Sequence, residues 1–346
     1  MIGDLASIHE AKHTYRSSKY NWTGRPKFAT VFGLVFATAS AAFLPPSEQA
    51  LREVEHLTGL ELIEYINKAQ NLFTVSSSAH FAQHPDDFKR RLMGSEYVTV
   101  PAELRVNEKT HDDINDASIP ASFDARTHWP QCPSILTIRD QSSCEETVSV
   151  PHGYYKELSL GCSHDHSIRE VVDSDIQSKH HDGPQISGAG CKPYPFPPCE
   201  HRGKADHYDP CPSHVEPTNA CEHSCQDGYP LSYTNDKHFG ATAYIVSKKM
   251  TDIQKEIMTN GPVEVSYNVY EDFGSYTGGI YVHTAGALRG GHAVKMIGWG
   301  TENGVPYWIC SNSWNTDWGE KGFFRIIRGI DECGIESGVV AGEPKL

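Results

Sequence analysis

Between Thr251 and Ile327 apolar and polar positions alternate regularly enough to assign elements. Val263, Val265, Tyr267 and Val269 alternate with Glu264, Ser266 and Asn268, the period of two of a strand with one buried face. Ala293 to Trp299 and Tyr307 to Cys310 read as two more strands, joined by a turn holding Asn303-Gly304, a pair that tolerates the backbone of a tight hairpin. Phe323 to Ile327 reads as another strand. Ahead of these, Thr251 to Gln254 is a capping-box pattern, Ile253 and Ile257 share a helical face, and Asn260-Gly261-Pro262 supplies the stop. Upstream, Thr58-Gly59-Leu60-Glu61 is a second capping-box pattern, followed by Leu62, Ile63, Ile66 and Ala69 on one face. Residues 119–250 lack such periodicity and are expected to be loop-dominated. A helix at one end and an antiparallel sheet at the other predict an α+β body.

The N-terminal pattern is different. Phe28 to Leu44 is an uncharged run, preceded by Arg25 and Lys27 and followed by Pro45-Pro46, with small residues at Ala39-Ser40-Ala41. Residues 1–42 therefore read as a leader and signal peptide, and the chain is expected to be secreted or endolysosomal. The alternative is an uncleaved membrane anchor; the weak apolarity at the end of the run argues against it, and no stable membrane association is expected. Residues 43–118 are helical at first, contain no cysteine, and turn acidic and irregular from His111. A cysteine-free helical stretch ahead of a cysteine-rich body reads as a pro-segment, with a small independent helical domain as the alternative.

Secretion changes how the cysteines read. Cys191, Cys199, Cys211, Cys221 and Cys225 crowd into a proline-rich stretch, which in an oxidising compartment is a disulfide-stapled loop. His201, His207, His214 and His223 interleave with them, but the spacing fits no standard zinc pattern, so no metal or other cofactor is expected. The formal net charge of −14 and the absence of a long basic run exclude a nucleic-acid binder that works by phosphate neutralisation.

Candidate chemistry gathers on the hairpin. His292 follows Gly290-Gly291 and is expected to open a strand; Asn312-Ser313-Trp314 follows the partner strand. A histidine oriented by an amide and shielded by an indole is a general acid–base arrangement.

Further motifs turn this into a resemblance. Ile119-Pro120-Ala121-Ser122-Phe123-Asp124-Ala125-Arg126, Ile138-Arg139-Asp140-Gln141, Gly190-Cys191-Lys192-Pro193-Tyr194, Pro197-Pro198-Cys199-Glu200-His201, Gly290-Gly291-His292-Ala293, Asn312 to Gly319 and Cys333-Gly334-Ile335-Glu336-Ser337 together resemble the papain-type cysteine peptidases of the cathepsin B kind. Tyr65-Ile66-Asn67-Lys68 is similar to that group's pro-segment. The resemblance implies a two-lobed papain-like domain over 119–346, with an antiparallel β-barrel-like lobe and a helical lobe here truncated, since Glu145 to Ala189 show no likeness to the family's catalytic helix, and with an occluding-loop-like region at 191–225. It implies His292 as general base, Asn312 as its orienter, Gln141 as an oxyanion-hole donor, and Trp314, Gly290 and Gly291 lining the substrate site. It further implies disulfides Cys191–Cys225 and Cys199–Cys211, peptide or protein substrates, and cystatin-like protein inhibitors as partners.

The departures are as informative. After the oxyanion glutamine the family carries Gly-Ser-Cys-Gly-Ser-Cys-Trp, whose second cysteine attacks the peptide carbonyl. Here Gln141 is followed by Ser142-Ser143-Cys144-Glu145-Glu146-Thr147-Val148, so Cys144 matches the first cysteine and Thr147 the nucleophile. Glu145 and Glu146 beside Cys144 oppose thiolate formation. Cys144 therefore reads as a structural or unpaired cysteine in preference to a nucleophile. Two functional readings follow: a cathepsin B-like cysteine peptidase, for which Cys144 is the available candidate nucleophile, or an inactive pseudo-peptidase that binds peptides, inhibitors or proteins; a faulty assembly of an active gene across residues 145–189 is the alternative to a genuine loss. His201 stands where the family's first occluding-loop histidine grips a substrate carboxylate, and Arg202 replaces the second. Gly338 replaces an acidic specificity residue, so an arginine two residues before the scissile bond is expected to lose its advantage.

Overall fold

A computed structural model of the chain describes residues 45–76, 89, 92–93, 108–141, 149–152, 155–159, 171–172, 191, 199, 209, 223–238 and 240–344. In chain order the strands are β1 (Phe73–Val75), β2 (Phe123–Asp124), β3 (Ser149–His152), β4 (Tyr155–Ser159), β5 (Val171–Val172), β6 (Lys237–His238), β7 (Gly240–Ile245), β8 (Val263–Tyr270), β9 (Tyr276–Tyr281), β10 (Leu288–Glu302), β11 (Val305–Ser311), β12 (Phe323–Ile327) and β13 (Val339–Pro344). The longer helices are α1 (Glu48–Val54), α2 (Gly59–Ala69) and α3 (Met250–Asn260).

The sheet is built on the patterns read above. In β8, Val263, Val265, Tyr267 and Val269 are buried and alternate with half-buried neighbours. Asn303 (φ 51°) and Gly304 (φ 83°) turn β10 into β11, two consecutive left-handed residues as a tight hairpin requires. The nine-stranded sheet runs β1-β9-β12-β11-β10-β8-β13-β7, with β2 added against β10. It is not wholly antiparallel as expected: β9 lies parallel to β12. The Gly278-Gly279 pair gives β9 no alternating pattern to read.

Other expectations are corrected. Thr58 is the N-cap of α2 but makes no side-chain cap bond. Leu62, Ile63 and Ile66 are buried there, each contributing about 2 kcal/mol relative to exposure, whereas Ala69 is exposed. Gln70 ends the helix by accepting the Leu72 and Phe73 N–H groups on Oε1, so β1 rather than Ala69 covers the core. Thr251 does not cap α3: the helix begins at Met250 with Lys249 as N-cap, because Ser247 Oγ accepts the Lys249 N–H and sets the turn earlier. Its stop is as expected, with Gly261 at φ 109°.

The N-terminal segment builds into the body. β1 pairs with β9, and Phe73 packs edge-on to Tyr281 with centroids 5.2 Å apart. Gly279 (φ +96°) permits this, since a Cβ there would lie 2.3 Å from the Leu72 carbonyl oxygen. Leu57, Leu62, Ile66 and Phe73 join the same core as Trp299, Trp308 and Phe324. Farther on, Lys109 forms a parallel bridge with Val246, and buried His111 meets Glu256 at 2.6 Å.

At Gly298 the β10–β11 register slips, and β2 crosses so near that a Cβ would stand 2.2 Å from the Phe123 oxygen. Phe123 thereby stacks on Trp299, with centroids 5.1 Å apart. Gly298→Ala is expected to lower stability by about 3 kcal/mol, because the obstacle is backbone and cannot swing aside. Urea unfolding checks it; an unchanged midpoint would mean that β2 is not held where described. Among the described residues no helix is long and apolar enough to cross a membrane; the run 28–44 lies outside them.

Candidate active site

Strand register assembles the site. Lys295 pairs with Ser311 across β10 and β11; extending that register by three residues sets Trp314 opposite His292. The indole accordingly stacks on the imidazole, centroids 5.0 Å apart and planes at 23°. On the other side β8 places Tyr267 opposite His292, its ring edge-on at 6.0 Å. His292 does not open its strand as expected. β10 begins at Leu288, because Gly290 and Gly291 continue the pairing with Val269 and Asn268. The imidazole is therefore held inside a sheet, 1% exposed.

Asn312 leaves the end of β11 with its N–H bonded to the Gly322 oxygen. Its Oδ1 meets His292 Nε2 at 2.9 Å and also accepts the Ser313 N–H at 2.8 Å. The second bond fixes the amide orientation, since a backbone N–H needs an acceptor. His292 Nε2 must then carry a proton, leaving the lone pair on Nδ1. That Nδ1 is buried with no hydrogen-bond partner among the described residues, as are Asn312 Nδ2 and Tyr267 Oη. Burial pulls the imidazole pKa down to about 4, against the opposing Asn312 bond. Burial likewise pushes the Tyr267 hydroxyl well up, with the Cys310 and Cys333 sulfurs adding to it.

Gln141 joins through the same loop. Its N–H bonds the Ser313 oxygen at 2.9 Å, Ser313 Oγ donates to Gln141 Oε1 at 2.7 Å, and Gln141 Nε2 donates to the Leu92 carbonyl at 3.2 Å. The residues Asn312-Ser313-Trp314 thus orient both the His292 ring and the Gln141 amide. Trp314 also bridges Asp140, whose Oδ2 accepts the Cys199 N–H at 2.8 Å, while Asn315 Nδ2 donates to the Cys199 oxygen at 3.0 Å. Cys199 is disulfide-bonded, and Cys191 is joined to Cys225. The start of the stapled loop is therefore fastened beside the site.

His292, Asn312, Gln141 and Trp314 come together; Gly290 and Gly291 lie on the approach to them. Gly338 runs against β8, its oxygen accepting the Ser266 N–H, and a Cβ would stand 3.0 Å from the Ser266 oxygen. Cys144, His201 and Cys211 lie outside the described residues. Among the described residues no group of three metal-ligating side chains occurs. The sequence does not single out Ser313, although it lies inside the Asn312 to Gly319 motif, or Tyr267, whose alternation marks it only as core. Nor does it single out Leu92, because nothing local marks a residue that comes from far upstream in the chain.

The geometry has counterparts. The model of the papain family cysteine proteases matches residues 119–343. The chain is 44% identical over 328 residues to "Cathepsin B-like cysteine proteinase 6" of Caenorhabditis elegans, covering 85% of each. It is 41% identical over 333 residues to the "Gut-specific cysteine proteinase" of the same organism, covering 88% of this chain and 96% of that one. Among solved structures it is similar to proCathepsin B S9 from Trypanosoma congolense, with a TM-score of 0.57 and 28% identity over 84% of this chain and 98% of that one. With the His292 ring, the Asn312 and Gln141 amides and the stapled loop in one place, and with relatives that match along most of its length, the chain belongs to the papain family of cysteine proteases and is cathepsin B-like.

Proposed function

We propose that the chain is the latent precursor of a cathepsin B-like endopeptidase, with peptidyl-dipeptidase trimming as a further capacity. Residues 1–42 direct it to a secreted or endolysosomal destination, 43–118 hold it inactive, and 119–346 are the enzyme. The observation that carries the reading is the Leu92 carbonyl on Gln141 Nε2: a peptide carbonyl from the N-terminal segment rests on the amide suited to a substrate's oxyanion. Support comes also from the likeness to a procathepsin over 84% of this chain and 98% of that one.

In the reaction, the Cys144 thiol gives its proton to His292 Nδ1 and the thiolate adds to the scissile carbonyl. Gln141 Nε2 donates to the oxyanion. Collapse breaks the C–N bond as imidazolium Nδ1 protonates the leaving amine, and water activated by the same nitrogen hydrolyses the thioester. Asn312 keeps the ring in the productive tautomer throughout. In 191–225, His201 and Arg202 would bind a substrate's C-terminal carboxylate, and the cleft is also the surface a cystatin-like inhibitor would occupy.

A second reading has its own observation: Thr147 stands at the family's nucleophile position, and Glu145 and Glu146 flank Cys144. On that reading the chain is a pseudo-peptidase. Turnover of a fluorogenic dipeptide by the acid-activated chain separates the two. Thiol-sensitive cleavage that disappears in Cys144→Ser is the expected result. A folded chain that cleaves nothing would establish the pseudo-peptidase.

A further inference from the structure

A second contact between the N-terminal segment and the cleft lies three residues before Leu92. Lys89 is 4% exposed, and its Nζ donates to Glu271 Oε1 at 2.6 Å. The other Glu271 oxygen is taken by Arg289 Nε, and Glu271 itself is 3% exposed. Arg289 immediately precedes Gly290-Gly291-His292 on β10, so the ion triad stands three residues, about 10 Å of strand, from the imidazole. Glu271 is fixed in place. Its N–H bonds the Ala287 oxygen at 3.0 Å, and Gly286 (φ +95°) passes so near that a Cβ there would lie 2.7 Å from Glu271 Cβ. The neighbouring Asp272 does not compete, being engaged by Tyr281 Oη, His283 Nδ1 and the N–H groups of Thr284 and Ala285.

Burying a lysine is unfavourable unless its partner is already placed. Here one stretch of the segment sets a backbone carbonyl on the oxyanion donor and, three residues away, a cationic side chain in a lateral recess. That is how a bound peptide would lie. When the segment leaves, Arg289 remains on one oxygen of Glu271 and the other loses its donor. A recessed carboxylate oxygen without a donor favours an incoming ammonium or guanidinium.

We propose that Glu271, braced by Arg289, is a specificity-determining residue. It forms an acidic subsite beside His292 that takes a lysine or arginine side chain of the substrate, and Lys89 fills that subsite in the latent chain. The proposal rests on the peptidase reading above and adds a basic preference at one substrate position.

The test uses the full chain after its N-terminal segment has been released by acid or by added pepsin. Internally quenched peptides carry one lysine, moved position by position through an uncharged frame, against norleucine and Nε-acetyl-lysine at the same place. At one position lysine should raise kcat/KM about ten-fold or more over both, and Glu271→Gln should collapse that ratio toward one. No position with such a preference, or a preference that survives Glu271→Gln, overturns the proposal. Acetyl-lysine reads the same interaction without relying on the variant to fold. If no peptide is cleaved, the peptidase reading fails and the subsite is read separately by fluorescence anisotropy. A labelled peptide of the sequence 86–96 should then bind about ten-fold more tightly than its Lys89→norleucine form; equal binding overturns the subsite.

Discussion

Replacing His292 by alanine is expected to lower kcat/KM by about 10³- to 10⁴-fold. The loss is large because one ring has three tasks in the proposed reaction: it takes the thiol proton, balances the thiolate charge and protonates the leaving amine. No neighbour can substitute. Asn312 does not ionise, and the Tyr267 hydroxyl is held protonated by burial. Asn312→Ala should be milder, about 10²-fold, because the ring survives but its tautomer is no longer fixed by Oδ1. Turnover of a dipeptide substrate, normalised to folded protein, measures both. Equal rates for His292→Ala and wild type would remove His292 from the mechanism.

Acid should loosen the latent fold through the same residue. The unfolded chain takes up a proton on this imidazole below about 6.5, whereas burial makes the folded chain exclude it until about 4. Between those values the unfolded state holds more protons, so stability falls as the pH is lowered through the window. The whole loss is about 3 kcal/mol; above 6.5 and below 4 the residue adds no slope. Urea unfolding at pH 7 and pH 4 checks this against His292→Gln, which cannot titrate. The variant should lose about 3 kcal/mol less between the two pH values, and parallel losses would refute the assignment. Protonation thus favours states in which the ring is open to water.

How much was legible follows from where each signal resides. Alternation over Val263–Val269 announces β8 because one face of that strand is dry, and the Asn303-Gly304 turn announces its hairpin because few other pairs adopt that backbone. His292, Asn312 and Trp314 were legible together, since the hairpin register that joins them is local. Strand β9 was not, as Gly278 and Gly279 carry no side chain to alternate. The Lys89–Glu271 pair spans 182 positions, and no periodicity encodes a contact of that range. The capping-box pattern marked the start of α2 at Thr58, though without a side-chain bond, and misplaced the start of α3 at Thr251, because Ser247 sets that turn earlier.

If the N-terminal segment is released as proposed, the pairing of β1 with β9 bears on how the remaining body behaves in company. Departure of residues 43–118 would turn β9 from an interior strand into a bare edge, the kind of surface on which chains associate into larger aggregates. Gly279 at its centre is already provided for. Its N–H bonds Glu320 Oε1 at 3.0 Å, and its oxygen accepts Tyr276 Oη at 2.7 Å. A second molecule laying a strand along this edge would find the middle donor and acceptor engaged by the protein's own side chains. These bonds lie within the body and do not depend on the N-terminal segment, so they would still blunt the edge after it has gone.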